Sequence, residues 1–429
     1  MQKYFHSVTL DENKCKGCIN CIKRCPTEAI RVQNGKAMII TERCIDCGEC
    51  IRVCPHHAKK ARFDPMDIME QYKYKIALPA PALYGQFNRL NDIDFILTGL
   101  KQIGFDEVFE VAKAAELVSD ATRKFMASRV KDGPVIGSAC PAIVRLIKVR
   151  FPELLQNILP LEAPMEIAAS MAKEQAAKET GLDYSDIGAF FISPCPAKVT
   201  AAKQPIGRKK SMVDGVFAIK DVYPKLLEKM NRLDETEEIS NCGIIGVGWA
   251  AIGGEASALL EDRYLSADGI ENVMKVLEEL EDDRLNELDF LELNACFAGC
   301  VGGVLNVENP YVAKARLSII RKHMPVSCNH LDSDEIPESM KWSNKINSKS
   351  VLTLSDDINE AFTLLRKIEE IEKCFPQLDC GSCGAPTCHA LAEDIILRNA
   401  SETDCVFRMR EQVKNVADTL SSLGAGFNF

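Results

Sequence analysis

One spacing of four cysteines occurs twice near the start of the chain and constrains its fold more than any other feature. Each run has cysteines three, three and four positions apart and ends on a proline: Cys15, Cys18, Cys21, Cys25 and Pro26, then Cys44, Cys47, Cys50, Cys54 and Pro55. Three closely spaced thiolates bind three irons of one cubane, and the fourth cysteine of each run binds the other cluster. We therefore predict two 4Fe–4S clusters, one held by Cys15, Cys18, Cys21 and Cys54 and the other by Cys44, Cys47, Cys50 and Cys25.

This duplicated spacing is similar to that of two-cluster bacterial ferredoxins. It implies a small α+β domain, which we assign to residues 1–72, and two cubanes close enough to conduct electrons. Zinc is the alternative metal, but zinc sites usually pair two shorter cysteine units across a longer gap.

Four further cysteines lie in three short segments that are far apart in sequence. Residues 137–142 contain Cys140, residues 193–198 contain Cys195, and residues 294–303 contain Cys296 and Cys300. Each segment follows a predicted strand, and ligands in α/β folds collect where loops leave the carboxyl ends of strands. We expect the four thiols to meet and to hold one more cubane.

The region between residues 73 and 332 alternates short apolar runs with longer amphipathic stretches. This alternation predicts an α/β domain with parallel sheets. We predict strands at 76–80, 135–137, 189–193, 242–247 and 290–293, and helices at 95–103, 142–150, 164–179 and 222–232.

The three central segments resemble the signature loops of the catalytic domain of iron-only (di-iron, FeFe) hydrogenases. In that family four cysteines hold a cubane, and one of them bridges to a di-iron unit carrying CO, cyanide and an azadithiolate; the whole group is the H-cluster. The resemblance implies Cys140, Cys195, Cys296 and Cys300 as ligands, with Cys300 bridging. It also implies that the Lys198 ammonium contacts a cyanide, an anion that needs a buried donor.

The chain departs from the prototypical hydrogenase around this site. Ala139 stands where the prototype has a cysteine that relays protons, and Ser193 and Asn294 stand where it has methionines. Residues 118–122 lack the glutamates of its proton path. Because proton transfer needs a titratable group at each step, we expect slow turnover, with Ser138, Ser193, Asp120 or bound water as a slower route.

Four cysteines near the end of the sequence predict a further 4Fe–4S site: Cys380, Cys383, Cys388 and Cys405. Their spacing and glycine-lined turns resemble the small four-cysteine cluster domain of iron–sulfur electron-transfer proteins, with zinc as the alternative. We assign residues 333–354 to a connector, 355–412 to a helix plus this small helical domain, and 413–429 to a tail. The H-cluster would thus be accompanied by three additional 4Fe–4S clusters.

Composition restricts the cellular setting. Nineteen cysteines in 429 residues without an export signal favour metal ligation in a reducing cytoplasm. The net charge of -10 argues against nucleic acid, and no apolar run reaches the length of about 18 residues that a membrane span needs. Three cysteines outside the cluster motifs are predicted to be buried thiols: Cys242, Cys328 and Cys374. For Cys374, six residues before Cys380, an exposed redox-active thiol is the alternative.

The departures resemble the divergent branch of the family that is thought to sense H2 or redox state. We therefore predict a cytoplasmic sensory hydrogenase that interconverts H2 with protons and electrons at low rate. Its partners would be H2, protons and a ferredoxin-like or signalling redox protein, and a homodimer is a further hypothesis. Two alternatives stay open: an electron-transfer or assembly protein that lacks the di-iron unit, and a redox-sensing interaction protein whose clusters are structural.

Overall fold

The structure, a computed structural model, describes residues 5–90, 92–129, 133–348, 354–355 and 357–424, with 423 and 424 as backbone only. It divides into two compact units. The first consists of Met1–Thr9, Ile45–Glu49 and Ala61–Lys349; the second consists of Leu10–Cys44, Cys50–Lys60 and Ser350–Phe429.

The strands of the described residues are short and lie mostly in the first unit. They are β1 (Val8–Leu10), β2 (Ile30–Gln33), β3 (Lys36–Ile39), β4 (Lys59–Ala61), β5 (Tyr74–Pro79), β6 (Glu107–Val108), β7 (Val135–Ile136), β8 (Ile187–Ser193), β9 (Gly215–Ala218), β10 (Tyr264–Asp268) and β11 (Phe290–Asn294).

The helices range from single turns to five turns. They are α1 (Asn20–Lys23), α2 (Glu49–Arg52), α3 (Asp94–Gln102), α4 (Val111–Ser128), α5 (Pro141–Arg150), α6 (Pro164–Thr180), α7 (Pro196–Lys203), α8 (Ile219–Met230), α9 (Ile244–Gly248), α10 (Gly254–Ser257), α11 (Ile270–Glu281), α12 (Pro310–Ile320), α13 (Ile358–Lys373), α14 (Cys388–Ile396) and α15 (Val406–Gly424). Short 3₁₀ helices lie at Met66–Gln71, Pro81–Gln86, Pro152–Asn157, Cys300–Gly302, Arg321–His323, Glu338–Met340 and Glu402–Asp404.

Two parallel sheets form the centre of the first unit and confirm the predicted α/β class. The larger sheet has the order β6-β5-β8-β9, and the smaller has the order β10-β11-β7. Every residue of β8 is buried, as expected for a parallel strand covered on both faces. Successive side chains of β8 point to opposite faces of the sheet and therefore belong to two different hydrophobic clusters. Phe191 packs in one cluster with Leu78, and Phe190 packs in the other with Ala77.

One predicted strand is wrong. Residues 242–247 form no strand, and Ile244–Gly248 is the helix α9. A short apolar run has no periodicity that separates a buried strand from a buried helix. Gly246 allows this helix to pack closely on α4. A Cβ at residue 246 would lie 2.3 Å from the carbonyl oxygen of Ala112, so the observed packing requires glycine there.

The second unit contains the β2–β3 hairpin, which is antiparallel, and a helical region with a small core of its own. That core includes Ile368, Phe375, Leu391 and Cys405. The helix α13 begins with Asp357 as its N-cap, whereas the sequence predicted a start at Ser355. Among the helices of the described residues, none combines the length and the apolar character required to cross a membrane.

Candidate iron–sulfur and hydrogenase site

Two of the central cysteines lie between a strand and the helix that follows it. Cys140 follows β7 and is the N-cap of α5, and Cys195 follows β8 and is the N-cap of α7. In both segments the next residue is a proline at the first helical position, where its missing N–H leaves no hydrogen bond unmade. The Cys-Pro dipeptide therefore directs each thiol to the amino end of a helix.

The third segment follows β11 and folds against the second. The backbone nitrogen of Leu305 donates to the carbonyl oxygen of Pro194 at 2.9 Å. A Cβ on Gly303 would lie 2.2 Å from the same oxygen, so this approach requires glycine. Cys296 lies in the loop, and Cys300 begins the 3₁₀ helix that ends at Gly302.

The side chain of Lys198 connects the second and third segments. Its Nζ atom lies 3.5 Å from the sulfur of Cys300. Burial alone would lower the pKa of Lys198, but the charges of the Cys300 and Cys195 thiolates outweigh burial and raise this pKa. The ammonium is therefore held in its charged form beside the cysteines.

The thiols themselves lie in a desolvated environment. Burial raises the pKa of Cys195 to about 11, although the Lys198 ammonium opposes the shift. Burial likewise raises the pKa of Cys140, against the effects of Lys198 and of a hydrogen bond from the Ala295 backbone. Because metal binding requires the thiolate, a bound iron would displace these protons.

A cavity of about 50 Å³ opens beside Lys198 and Cys300. Small and apolar residues form most of its wall, and the polar exceptions include Asn294 and two carboxylates. Its lining is Ala80, Pro81, Ala82, Val111, Ala115, Ala139, Ala163, Pro164, Met165, Phe191, Pro194, Lys198, Trp249, Ala250, Glu255, Glu292, Asn294 and Cys300. Soft sulfur donors, short side chains and one ammonium fit a cubane with an attached anionic unit.

Sequence reasoning missed the two carboxylates, Glu255 and Glu292. Both are buried, with 8% and 1% of their surface exposed. Burial and then the charge of Glu292 raise the pKa of Glu255, whereas Lys198 opposes this shift. Burial raises the pKa of Glu292 to about 7. A glutamate inside the apolar run of β11 was the available signal, since acidic residues are almost never fully buried without partners.

Backbone and side-chain donors fix the position of Glu292. Its two carboxylate oxygens accept hydrogen bonds from the backbone nitrogens of Gly253 at 3.0 Å and Ala256 at 2.9 Å. The amide of Asn294 donates to the same carboxylate at 3.1 Å. Asn294, a departure from the prototypical hydrogenase, thus joins the cavity wall to a buried acid.

The groups that the sequence suggested for a slower proton route are engaged in local contacts. The Ser138 hydroxyl donates to the carbonyl oxygen of Leu161 at 3.0 Å, and the Ser193 hydroxyl donates to that of Cys195 at 3.0 Å. Asp120 forms an ion pair with Arg123 at 3.1 Å. Ala139 lines the cavity beside Lys198 and Cys300, and it also lines a smaller cavity of about 30 Å³ together with Ser138.

A buried polar network joins residue 46 to the second central segment within the first unit. Asp46 lies between Cys44 and Cys47, and its carboxylate accepts a hydrogen bond of 2.8 Å from the Thr200 hydroxyl on α7. The backbone nitrogens of Ser7 and Val8 donate to it at 3.0 Å each. The loop that carries Cys47 is thereby fixed to the helix that begins after Cys195.

Backbone donors also reach sulfurs of the N-terminal motifs. The nitrogen of Ala29 donates to the Cys25 sulfur at 3.2 Å, and that of Ala58 donates to the Cys54 sulfur at 3.3 Å. These equivalent bonds, one in each run, are of the kind that tunes cluster potentials. All nineteen cysteines lie within the described residues, and none of them is in a disulfide there.

Three of the four C-terminal cysteines pack in one hydrophobic cluster. Cys383, Cys388 and Cys405 share one small core, and Cys380 is exposed. The hydroxyl of Thr387 caps α14, which begins at Cys388. Of the three remaining cysteines, Cys242 is buried and donates to Glu110 at 3.1 Å. Cys328 is exposed, contrary to the expectation of a buried thiol, and Cys374 is exposed, in agreement with the alternative for that residue.

Comparison with protein families agrees with this geometry. The family model for the C-terminal domain of the iron only hydrogenase large subunit matches residues 73–254 and 229–304. The chain belongs to the iron-only hydrogenase family. Within this hydrogenase-family chain, a 4Fe-4S dicluster domain matches residues 7–55 and an Fe-S cluster domain matches residues 375–407.

The individual relatives are distant. Iron hydrogenase 1 of Clostridium pasteurianum is 25% identical over 392 residues, which cover 73% of this chain and 68% of that protein. The periplasmic Fe hydrogenase large subunit of Nitratidesulfovibrio vulgaris is 28% identical, over 49% of this chain and 54% of that protein. The cytosolic Fe-S cluster assembly factor NAR1 of Scheffersomyces stipitis is 27% identical, over 27% of this chain and 22% of that protein.

A solved structure of the FeFe-hydrogenase HydA1 from Chlamydomonas reinhardtii, in a variant form, is similar to part of the chain. It is 17% identical, with a TM-score of 0.47, and covers 61% of this chain and 86% of that one.

Proposed function

We propose that this member of the hydrogenase family is a sensory FeFe hydrogenase. It would interconvert H2 with two protons and two electrons at an H-cluster, with slow turnover. The observation that carries the proposal is the 3.5 Å approach of the Lys198 ammonium to the Cys300 sulfur at the edge of a mostly apolar cavity.

In this proposal Cys140, Cys195, Cys296 and Cys300 bind the cubane, and Cys300 bridges to the di-iron unit. That unit, when bound, supplies an open iron and a basic amine for cleavage of H2. Lys198 binds the anionic end of the unit, since its ammonium is buried beside sulfur and stays charged. Ala139 and its small neighbours exclude side-chain donors from the opposite wall.

Proton movement would use Asn294, Glu292 and Glu255. Glu292 holds or releases a proton near neutral pH because its pKa is about 7, which is the range that a proton relay needs. Ala139 carries no proton, so the relaying cysteine of the prototype has no counterpart at this position. A longer path through buried carboxylates accounts for the slow turnover that we propose.

Electrons would leave through the ferredoxin-like clusters. Cys47, a predicted ligand of one of them, lies in the loop that the hydrogen bond between Thr200 and Asp46 fixes to α7. A ferredoxin-like or signalling protein in the cytoplasm would take them up. H2 and protons are the small-molecule partners in this scheme.

Infrared spectroscopy tests the proposal. Protein made anaerobically and supplied with the di-iron cofactor is measured under argon and then under H2. We expect CO and cyanide bands that shift when H2 is added, because the cofactor would then be bound and responsive. A protein with intact cubanes but without such bands would overturn the proposal.

The similarity to the assembly factor NAR1 supports a second candidate. In it the four central cysteines hold a cubane, the di-iron unit never binds, and the protein transfers electrons or clusters. Absent infrared bands together with transfer of electrons or iron–sulfur clusters to an acceptor protein would favour this function.

A further inference from the structure

The helical cluster domain near the end of the chain packs on the ferredoxin-like region inside the second unit. Val32 of β2 donates a backbone hydrogen bond of 2.8 Å to the carbonyl oxygen of Gly384, the residue after Cys383. A Cβ on Gly384 would lie 1.9 Å from the carbonyl oxygen of Val32. This backbone contact therefore depends on glycine at 384.

Two buried ion pairs reinforce the contact. Arg31 Nε lies 2.5 Å from the Asp394 carboxylate, and Arg43 Nη2 lies 3.0 Å from that of Glu393. The side chains of all four residues are at most 11% exposed. Since an unpaired buried charge is strongly unfavourable, these pairs hold one definite arrangement of the two regions.

The residues that make the interface are neighbours of predicted cluster ligands on both sides. Lys23, between Cys21 and Cys25, donates to the carbonyl oxygens of Asp379 and Pro386, the second at 3.1 Å. Arg43 directly precedes Cys44, and Gly384 directly follows Cys383. Cluster-bearing loops therefore face each other across the contact.

We infer that the C-terminal cluster exchanges electrons directly with the ferredoxin-like clusters, so that all the additional clusters belong to one relay. In each transfer a reduced ferredoxin-like cubane loses one electron and becomes oxidised, and the C-terminal cubane gains that electron. No proton is required. Lys23, which donates only to backbone carbonyl oxygens there, adds positive charge at this side of the C-terminal loops, and local charge is one of the factors that set cluster potentials.

This inference rests on the proposed iron–sulfur wiring but not on H2 turnover. It is tested with anaerobically made protein that carries cubanes and no di-iron unit. Electron paramagnetic resonance of the fully reduced wild type is compared with that of Cys388→Ala, which removes a ligand of the C-terminal cluster. We expect magnetic coupling between clusters in the wild type, and loss of its C-terminal contribution in the variant.

Charge reversal isolates the interface. Arg43→Glu should abolish the C-terminal contribution to the coupling, and adding Glu393→Arg should restore it by re-forming the pair in the opposite sense. Lys60→Glu, at the exposed ion pair with Asp11, is the matched control and should leave the coupling intact. Iron is counted in every variant, and Gly384→Ala provides a second disruption from the other side.

The result that overturns the inference is a wild-type spectrum with no more magnetic coupling than that of Cys388→Ala, because the two ferredoxin-like clusters couple with each other in both proteins. Coupling that persists unchanged in both Arg43→Glu and Gly384→Ala, at full iron content, would also overturn it. Because none of these measurements involves H2, a failure here is distinguishable from failure of the infrared experiment.

Discussion

Thr200 donates a hydrogen bond of 2.8 Å to Asp46, a residue 154 positions earlier in the chain, and both side chains are buried. In Thr200→Val the shape is retained but one carboxylate oxygen loses its donor. We expect a loss of about 1–3 kcal/mol in the free energy of unfolding, the usual penalty for an unsatisfied buried polar group. Denaturant unfolding of the cluster-free protein measures it. Thr363→Val, at an exposed position of α13, is the control and should change little; equal stability of both variants would contradict the prediction.

Replacing Lys198 by methionine should prevent stable binding of the di-iron unit. The cavity keeps its volume but loses its only ammonium, while the four cysteines remain available for the cubane. The iron content before the di-iron cofactor is supplied should thus be unchanged, and the CO and cyanide infrared bands after it is supplied should be absent or strongly weakened. Lys198→Arg retains a cation and serves as the comparison. Bands of full intensity in Lys198→Met would refute the role given to this residue.

Glu292→Gln and Glu255→Gln should each lower the rates of H2 oxidation and evolution by about a hundredfold, within the range of about 10²–10⁴ for a general acid or base. The amide preserves the shape but cannot transfer the proton. Glu261→Gln, at an exposed position, is the matched control. Rates that match the control in both variants, measured with the di-iron cofactor bound, would eliminate the carboxylate route.

The pH dependence follows from the raised pKa of Glu292. H2 oxidation requires this carboxylate to accept a proton, and its deprotonated fraction increases as the pH rises through about 7. Its polar and charged neighbours are the side chains of Glu255, Ser266 and Asn294 and the backbone nitrogens of Gly253 and Ala256, and the Lys198 ammonium acts on Glu255. We expect the oxidation rate to increase between about pH 6 and pH 8, and the inflection to vanish in Glu292→Gln. An unchanged profile in that variant would assign the titration to another group.

Ala139→Cys should raise the turnover rate only modestly, by about tenfold, which is less than a complete general acid supplies. The added thiol restores the first step of the prototypical path. The glutamates of that path remain missing from residues 118–122, where the Ser119 hydroxyl donates to the Ala115 carbonyl oxygen and accepts from the Trp249 indole. Ala139→Ser controls for the change in volume. An unchanged rate in Ala139→Cys would count against the missing cysteine as a cause of slow turnover.

Much of the fold was predictable because the relevant signals are local. β8 and β11 are continuous apolar runs, which buried parallel strands require, and the predicted strands at 189–193 and 290–293 lie within them. The Cys-Pro dipeptides locate the starts of α5 and α7. The apolar run at 242–247 has no local signal that separates a buried strand from a buried helix, and it forms the helix α9, which packs closely on α4.

What sequence alone could not give is pairing between distant residues. Glu255 and Glu292 interact only after α10 and β11 come together, and no spacing rule links them. The contact of Arg31 with Asp394 joins residues 363 positions apart. Each of these charged residues looks like an ordinary surface residue until its partner is known. The buried pair of Glu255 and Glu292 and the ion pair of Arg31 with Asp394 therefore became visible only in three dimensions.

The packing of residues 380–405 on the β2–β3 region imposes an order of events during biosynthesis. The chain leaves the second unit at Lys60 and supplies the rest of it only from Ser350 onward. A ribosome must therefore synthesise the chain as far as Glu393 and Asp394 before Arg31 and Arg43 can be neutralised by these acidic partners. Until then the two arginines lack these partners, and the second unit cannot be completed before the whole first unit has been synthesised.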